Sequence, residues 1–236
     1  QMLNLIKLLE DKGLAYRATD GDVNFAVRRF APYGRLSGKS LDDLRAGERV
    51  AVDSAKQDPL DFVLWKSAKP DEPAEARWPS AHGEGRPGWH IECSAMSKKY
   101  LGETFDIHGG GMDLLFPHHE SEVAQSMACS GHQPANYWMH HNMITVNGQK
   151  MAKSLNNGIS IDEFFSGKNA LLEKAYSPMT LKFFILQAHY RGTLDFSNAA
   201  LQASEKGLNR LLIASESVKS LEPNEINEVD INKLIE

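Results

Sequence analysis

Apolar positions along the chain fall into three textures. Residues 1–14 place Met2, Leu3, Ile6, Leu8 and Leu9 at helical spacing and then Gly13, which predicts the end of an amphipathic helix with a glycine stop. Because the helical period is already complete at the first residue, the chain is expected to begin inside a larger domain. Residues 16–84 differ: short β-prone pieces (Val23–Val27, Arg49–Val52, Asp61–Trp65) alternate with Gly, Pro and Asp turns, the texture of a small inserted module. The stretch Lys69–Pro87, rich in Pro, Ala, Glu and Gly, reads as a loop or linker.

From Gly88 the pattern becomes α/β. His90–Tyr100 predicts a helix, Thr104–Ile107 a short strand, and Pro117–Ala128 a second helix with proline in its first turn. Tyr137–Val146 predicts a strand ending in the Asn147-Gly148 turn. After Ser154 the chain turns helical. Ser177-Pro178 opens one helix to about His189, and Ser197 caps another to about Val218, with Leu201, Leu208, Leu211 and Leu212 on its apolar side. No internal repeat is visible.

Composition narrows the classes. With 236 residues, 42% hydrophobic and 24% charged, the chain can build one large core or two modest ones and is not largely disordered. The net charge of −5 argues against indiscriminate phosphate binding. Most of it sits in the tail, where Glu216, Glu222, Glu225, Glu228, Asp230 and Glu236 face only Lys219 and Lys233, so a basic face for RNA can still form in the body. Two cysteines make no disulfide framework, and Cys129 reads as a small buried hydrophobe. No apolar run approaches the roughly 20 residues that cross a bilayer. The expected setting is cytoplasmic and reducing, with no membrane partner.

Four features carry chemistry. In Pro117-His118-His119-Glu120-Ser121-Glu122, His118 and Glu122 are four apart and share a helix face, so an imidazole and a carboxylate can reach one metal ion; taken alone, the pair is better read as a polar helix face. Cys93 follows the Pro87-Gly88 turn near the start of a helix, where a thiolate is electrostatically favoured and serves as a soft zinc ligand. Gly109, Gly110 and Gly111, directly after a strand, permit a ligand to approach the backbone closely, or make a flexible turn. Lys150 and Lys153 lie three apart in a loop and suit phosphate groups, or are a solvated basic loop.

Each feature is ambiguous; their order is not. The strings RPGWHIECSAM, FDIHGGGMDLLFPHHESEVAQS and NGQKMAKSLNN, in that succession, closely resemble the cysteinyl-tRNA synthetases, a family of class I aminoacyl-tRNA synthetases. The likeness extends back through GDVNFAV, YGRLSG and DPLDFVLWK and forward through SPMTLKFFILQAHYRGTLDFS, and fades after about residue 212. It implies zinc in the amino-acid pocket, with Cys93, His118 and Glu122 on three of the family's four ligand positions. The fourth, a cysteine, and the family's HIGH motif both lie upstream of this segment. Lys150–Ser154 falls on the KMSKS loop, with Lys153 on the lysine that contacts ATP and Lys150 in support; Ala152 stands where the family usually has serine. Trp89 and Asp113 fall on positions that hold the substrate cysteine, and Gly109–Gly111 near the adenylate.

The fold the resemblance implies is α/β, the second half of a Rossmann-like catalytic domain with an inserted connective module and an α-helical stem-contact region. Residues 1–20 would end the first half, 21–84 form the insertion, 85–154 the second half, and 155–236 the helical region. The implied activity is cysteine–tRNA ligation with L-cysteine, ATP with Mg2+ and tRNA(Cys), in which zinc selects the thiol and does not activate water. By itself the segment is expected to be inactive. Three rivals stay open: a cysteine ligase of the mycothiol pathway, told apart by its amino-sugar acceptor; a zinc hydrolase using Glu120 as base, told apart by amide hydrolysis; and a non-catalytic RNA-binding module, whose binding would survive loss of both lysines.

Overall fold

The computed structural model describes residues 1–41 and 55–221. The expected β-prone piece Arg49–Val52 lies outside them. The chain divides into two compact units, Gln1–His141 and Asn142–Glu236.

In the first unit, helix α1 (Met2–Asp11) buries Ile6 and Leu9, and Gly13 follows at φ 72° as its stop. Four short strands form an antiparallel sheet in the order β1-β2-β3-β4: β1 Ala15–Arg17, β2 Val23–Phe25, β3 Phe62–Ser67 and β4 Gly85–Pro87. The sheet supplies Val23, Phe25, Leu64 and Trp65 to one core with Ile6, Leu9, Ile91 and Ala124. Phe25 stacks on Phe62 with ring centroids 4.9 Å apart. Two expectations need correction here. The β-prone run to Val27 stops at Phe25 and tightens into a helical turn, Val27–Arg29. The loop expected over Lys69–Pro87 ends as strand β4, because Lys66 and Arg86 pair across the sheet and Trp78 bridges Gly85.

Helix α2 (Trp89–Leu101) leads to strand β5 (Phe105–Gly111), helix α3 (Glu120–Ser130) and strand β6 (Ala135–His141), a βαβ unit whose two strands pair in parallel. The strand expected over Tyr137–Val146 is in fact two. β6 ends at His141, Asn142 and Met143 interrupt, and β7 (Ile144–Val146) belongs to the second unit.

The second unit pairs β7 with β8 (Gln149–Lys150) as a hairpin and with β9 (Leu194–Phe196) in parallel. β9 was not anticipated: its three residues sit in a polar, glycine-containing stretch with no readable period. Helices α4 (Ile161–Ser166), α5 (Pro178–Gln187) and α6 (Asn198–Lys219) complete it. α4 has a full capping box between Ser160 and Glu163, and Ser177 and Ser197 cap α5 and α6 as their sequences require. Phe164, Tyr176, Leu181, Phe184, Phe196 and Leu201 form this unit's core. The apolar side expected of α6 is buried at Leu201 only, while Leu211 and Leu212 are exposed. Among the described residues no helix is long and apolar enough to cross a membrane.

Candidate functional site

The turn from β4 into α2 places Cys93. Gly88 N donates to Leu64 O at 2.8 Å, and a Cβ at Gly88 would collide with Val63 O, so only glycine permits this departure from the sheet. Trp89 is then the first residue of α2 and Cys93 lies one turn further.

The second contribution comes from Leu115–His119, an irregular turn in which Phe116 is extended (φ −140°, ψ 132°). The helix expected from Pro117 therefore starts at Glu120. A residue before proline avoids helical geometry, which explains the break. His119 is already helical (φ −67°, ψ −35°), so the four-residue relation of His118 to Glu122 survives. Cys93 Sγ, one ring nitrogen of His118 and one carboxylate oxygen of Glu122 all lie within 4.8 Å of one another.

The remaining polar atoms of the trio are engaged elsewhere. Glu122 Oε2 lies 3.0 Å from His108 Nε2, and His118 Nδ1 lies 2.7 Å from His90 Nδ1. Burial, with His118 beside it, holds His90 down to about 4, so at neutral pH it is uncharged and its Nδ1 can accept from His118 Nδ1–H. That tautomer leaves His118 Nε2 a lone pair. Nε2 stands 3.0 Å from Glu122 Oε1, yet Oε1 is a buried acceptor without a hydrogen bond. Two lone-pair atoms held this close and unbonded, beside a thiol, are what one shared cation would satisfy. A thiol, an imidazole and a carboxylate make a donor set that fits zinc.

The electrostatics correct one expectation. The Cys93 thiol is pushed up to about 11 by burial and by the carboxylates of Glu122 and Glu92, which outweigh any favour from the helix start. Without a cation it is a thiol at neutral pH. Burial alone would raise the Glu122 carboxyl, but the hydrogen bond from His108, together with that from His118 when its Nε2 carries the proton, brings it down to about 2.

Around the trio, the exposed Trp89 indole lies over His118 with ring centroids 4.2 Å apart. The glycines do not follow the strand, as the sequence predicts; they are its last three residues, paired in β5 with Met139, His140 and His141. Their reasons differ. A Cβ on Gly110 would stand 2.6 Å from His119 Cε1, and one on Gly111 would collide with the Asp113 carboxylate, whereas one on Gly109 would meet only Met139 O, at 3.7 Å. Glu120 turns away from the trio, with Oε2 accepting from Ser37 N at 2.8 Å. His119 has its Nδ1 2.8 Å from His140 Nε2, and with His108 and Glu122 it forms a second group of metal-capable atoms. Sequence reasoning gave no role to His90, His108, His119 or His140; the available signal was density, since seven of the nine histidines fall between positions 90 and 141.

The two lysines lie in the second unit. Asn147 and Gly148 both have positive φ (50° and 77°), the form a two-residue hairpin needs. Gly148 N and Thr145 Oγ1 both donate to Asp195 Oδ1, which ties the turn to β9. Lys150 ends β8, and Lys153 opens a single helical turn, Lys153–Leu155. Both are exposed, and among the described residues neither ammonium has an ion-pair partner.

Residues 1–206 match the family model described as the class I (C) tRNA synthetase catalytic domain. The chain is 59% identical over 218 residues to a cysteine–tRNA ligase of Ralstonia pickettii (92% of this chain, 45% of the relative). It is 54% identical over 238 residues to that of Bacteroides fragilis (99% and 48%). The chain thus spans a little under half the length of these curated relatives. Among solved structures, a ternary complex of Agrobacterium radiobacter K84 agnB2 LeuRS with tRNA and LeuAMS aligns with a TM-score of 0.42 at 13% identity, over 58% of this chain and 21% of that one.

Proposed function

Because the chain belongs to the class I (C) tRNA synthetase catalytic-domain family, we propose that it is the zinc-bearing and lysine-loop portion of a cysteine–tRNA ligase. The observation that carries this reading is the convergence of Cys93, His118 and Glu122 within 4.8 Å, with Glu122 Oε1 buried and without a hydrogen bond. A zinc ion held there supplies a soft Lewis acid that favours a thiolate over a hydroxyl, a discrimination that pocket size alone makes poorly.

The protein's own groups do the rest. Trp89 shields one side of His118, and Asp113 offers a carboxylate to the amino group of L-cysteine. The backbone at Gly109–Gly111 gives room for the adenylate, which would explain why position 109 carries no side chain although, among the described residues, a Cβ there would meet only Met139 O in ordinary contact. The cysteine carboxylate attacks the α-phosphorus of ATP and pyrophosphate leaves, with Lys153, supported by Lys150, neutralising its charge beside Mg2+. The terminal hydroxyl of tRNA(Cys) then attacks the adenylate's carbonyl carbon and AMP departs. In this reading residues 1–20 end the first Rossmann half, 21–84 are the connective insertion, 85–154 the second half, and 155–236 the stem-contact region of a cytoplasmic enzyme.

The test is ATP–pyrophosphate exchange by a protein of the relatives' full length carrying this segment, with cysteine and with serine. Exchange with cysteine alone, none with serine and none from residues 1–236 by themselves, is the expected result. A zinc-loaded full-length protein that exchanges with neither would sink the reading and favour a retained RNA-binding scaffold.

A further inference from the structure

The lysine loop is held from within by one side chain. Asn157 Oδ1 accepts from Ala152 N–H at 2.9 Å, and its Nδ2 donates to Lys150 O at 2.9 Å. We infer that Asn157 is the positioning residue of the Lys150–Lys153 loop, and that its carboxamide is what fixes both lysines for the phosphates of ATP. The inference rests on the function proposed above and assigns a role to a residue outside the lysine motif.

The local structure explains why this position can do it. Strand pairing ends at Lys150, opposite Thr145, and Met151 N still reaches Ile144 O at 3.2 Å. Beyond Met151 the backbone bonds are local: Leu155 N to Ala152 O and Asn156 N to Lys153 O. Asn156 takes the left-handed conformation (φ 48°, ψ 33°), which turns the chain so that Asn157 faces back across the loop. Two bonds from one planar group then close the ring from Lys150 to Asn157. Met151 packs against the second core, so the brace ties an exposed loop to a rigid body.

The chemistry is selective. A carboxamide offers one donor and one acceptor side by side, matching a carbonyl and an N–H two residues apart. A carboxylate would keep the bond from Ala152 N–H but set a second acceptor, with negative charge, against Lys150 O. The brace also uses only the backbone of residue 152. That accounts for alanine being tolerated there.

Two measurements test this. In the 236-residue chain, hydrogen exchange at the Ala152 amide should be about tenfold faster in Asn157→Ala, as expected for loss of the carboxamide's two hydrogen bonds, with the thermal midpoint lowered by no more than about 4 °C. In the full-length protein, Asn157→Ala should raise KM for ATP or lower kcat by roughly tenfold with KM for cysteine unchanged, and Asn157→Asp should be the more impaired of the two. Unaltered Ala152 protection, or equal effects on ATP and cysteine, would overturn the inference. If the unmutated full-length protein shows no cysteine-dependent exchange, the proposed function fails and the role toward ATP fails with it. The exchange rate at Ala152 reports on the brace separately.

Discussion

His118 Nδ1 lies 2.7 Å from His90 Nδ1, and that contact decides which nitrogen of His118 is free. With His90 neutral, His118 donates through Nδ1 and presents Nε2 to Glu122 and Cys93. A partner that orients a ligand in this way tunes metal affinity without touching the metal. Replacing His90 with phenylalanine should therefore weaken zinc binding by about 10- to 100-fold. Competition with a chromogenic chelator measures this, and unchanged affinity would remove His90 from the site.

Zinc uptake should also release a proton. The Cys93 thiol is raised to about 11 and is protonated at pH 7.5, whereas Glu122, lowered to about 2, is already a carboxylate and an imidazole ligand binds uncharged. A metal-bound sulfur must be a thiolate. About one proton per zinc is expected, read as the dependence of the apparent binding enthalpy on the buffer's ionisation enthalpy. Cys93→Ser should abolish the release; its persistence would mean that another group titrates.

The sequence made some of this legible and hid the rest for identifiable reasons. Helices α1, α2, α5 and α6 were readable because caps, a glycine stop and a 3.6-residue period agreed with one another. The trio was readable by pattern, since His118 and Glu122 are near neighbours in the chain while Cys93 needed the family resemblance to join them. The histidine contacts were not: His90 and His118 are 28 positions apart, and His119 and His140 are 21 apart. Such contacts depend on how α2, α3 and β6 pack, which no local period encodes. Strand β9 and the break between β6 and β7 escaped because short strands are set by their partners.

The buried histidines give the metal-free chain an acid limb. His90 and His119 are both lowered to about 4, chiefly by burial, from an ordinary value near 6.5. The unfolded chain then binds protons that the folded chain refuses. Their contribution to stability is complete above about pH 6.5 and is lost as pH falls toward 4, at up to about 1.4 kcal/mol per pH unit for each group. Urea midpoints measured from pH 7 to pH 4 should fall along this limb, less steeply in His90→Asn. A flat profile would contradict the burial assigned to these rings.

Adjacent glycines should separate packing from ligand space. Gly110→Ala would press a methyl group to 2.6 Å from His119 Cε1 and disturb its contact with His140, at a cost of about 1–3 kcal/mol for overpacking. Gly109→Ala meets only Met139 O at 3.7 Å and should leave stability within about 0.5 kcal/mol. If the adenylate approaches this backbone, Gly109→Ala should nonetheless impair cysteine-dependent exchange in the full-length protein. Equal destabilisation by both substitutions would show that position 109 is a packing position like its neighbour.

The lysine loop yields the sharpest division of labour. Lys150 belongs to a strand end held by both the hairpin and Asn157, while Lys153 stands on the single turn beyond it. If Lys153 meets the departing pyrophosphate, its charge is used mainly in the transition state, so Lys153→Ala should lower kcat for exchange by about 10²- to 10³-fold, the scale for removing one preorganised charge-stabilising donor. Binding of cysteine should be untouched, because sulfur recognition is assigned to Cys93, His118 and Glu122. Lys150→Ala should cost less and act partly through KM for ATP, as expected of a supporting charge. Ala152→Ser should change exchange by less than about twofold, since only the backbone N–H of Ala152 is engaged in the brace. Steady-state exchange kinetics on the three variants, each checked for zinc content, would decide the matter. A Lys153→Ala protein with unaltered kcat would remove this loop from the chemistry, whatever the zinc trio does.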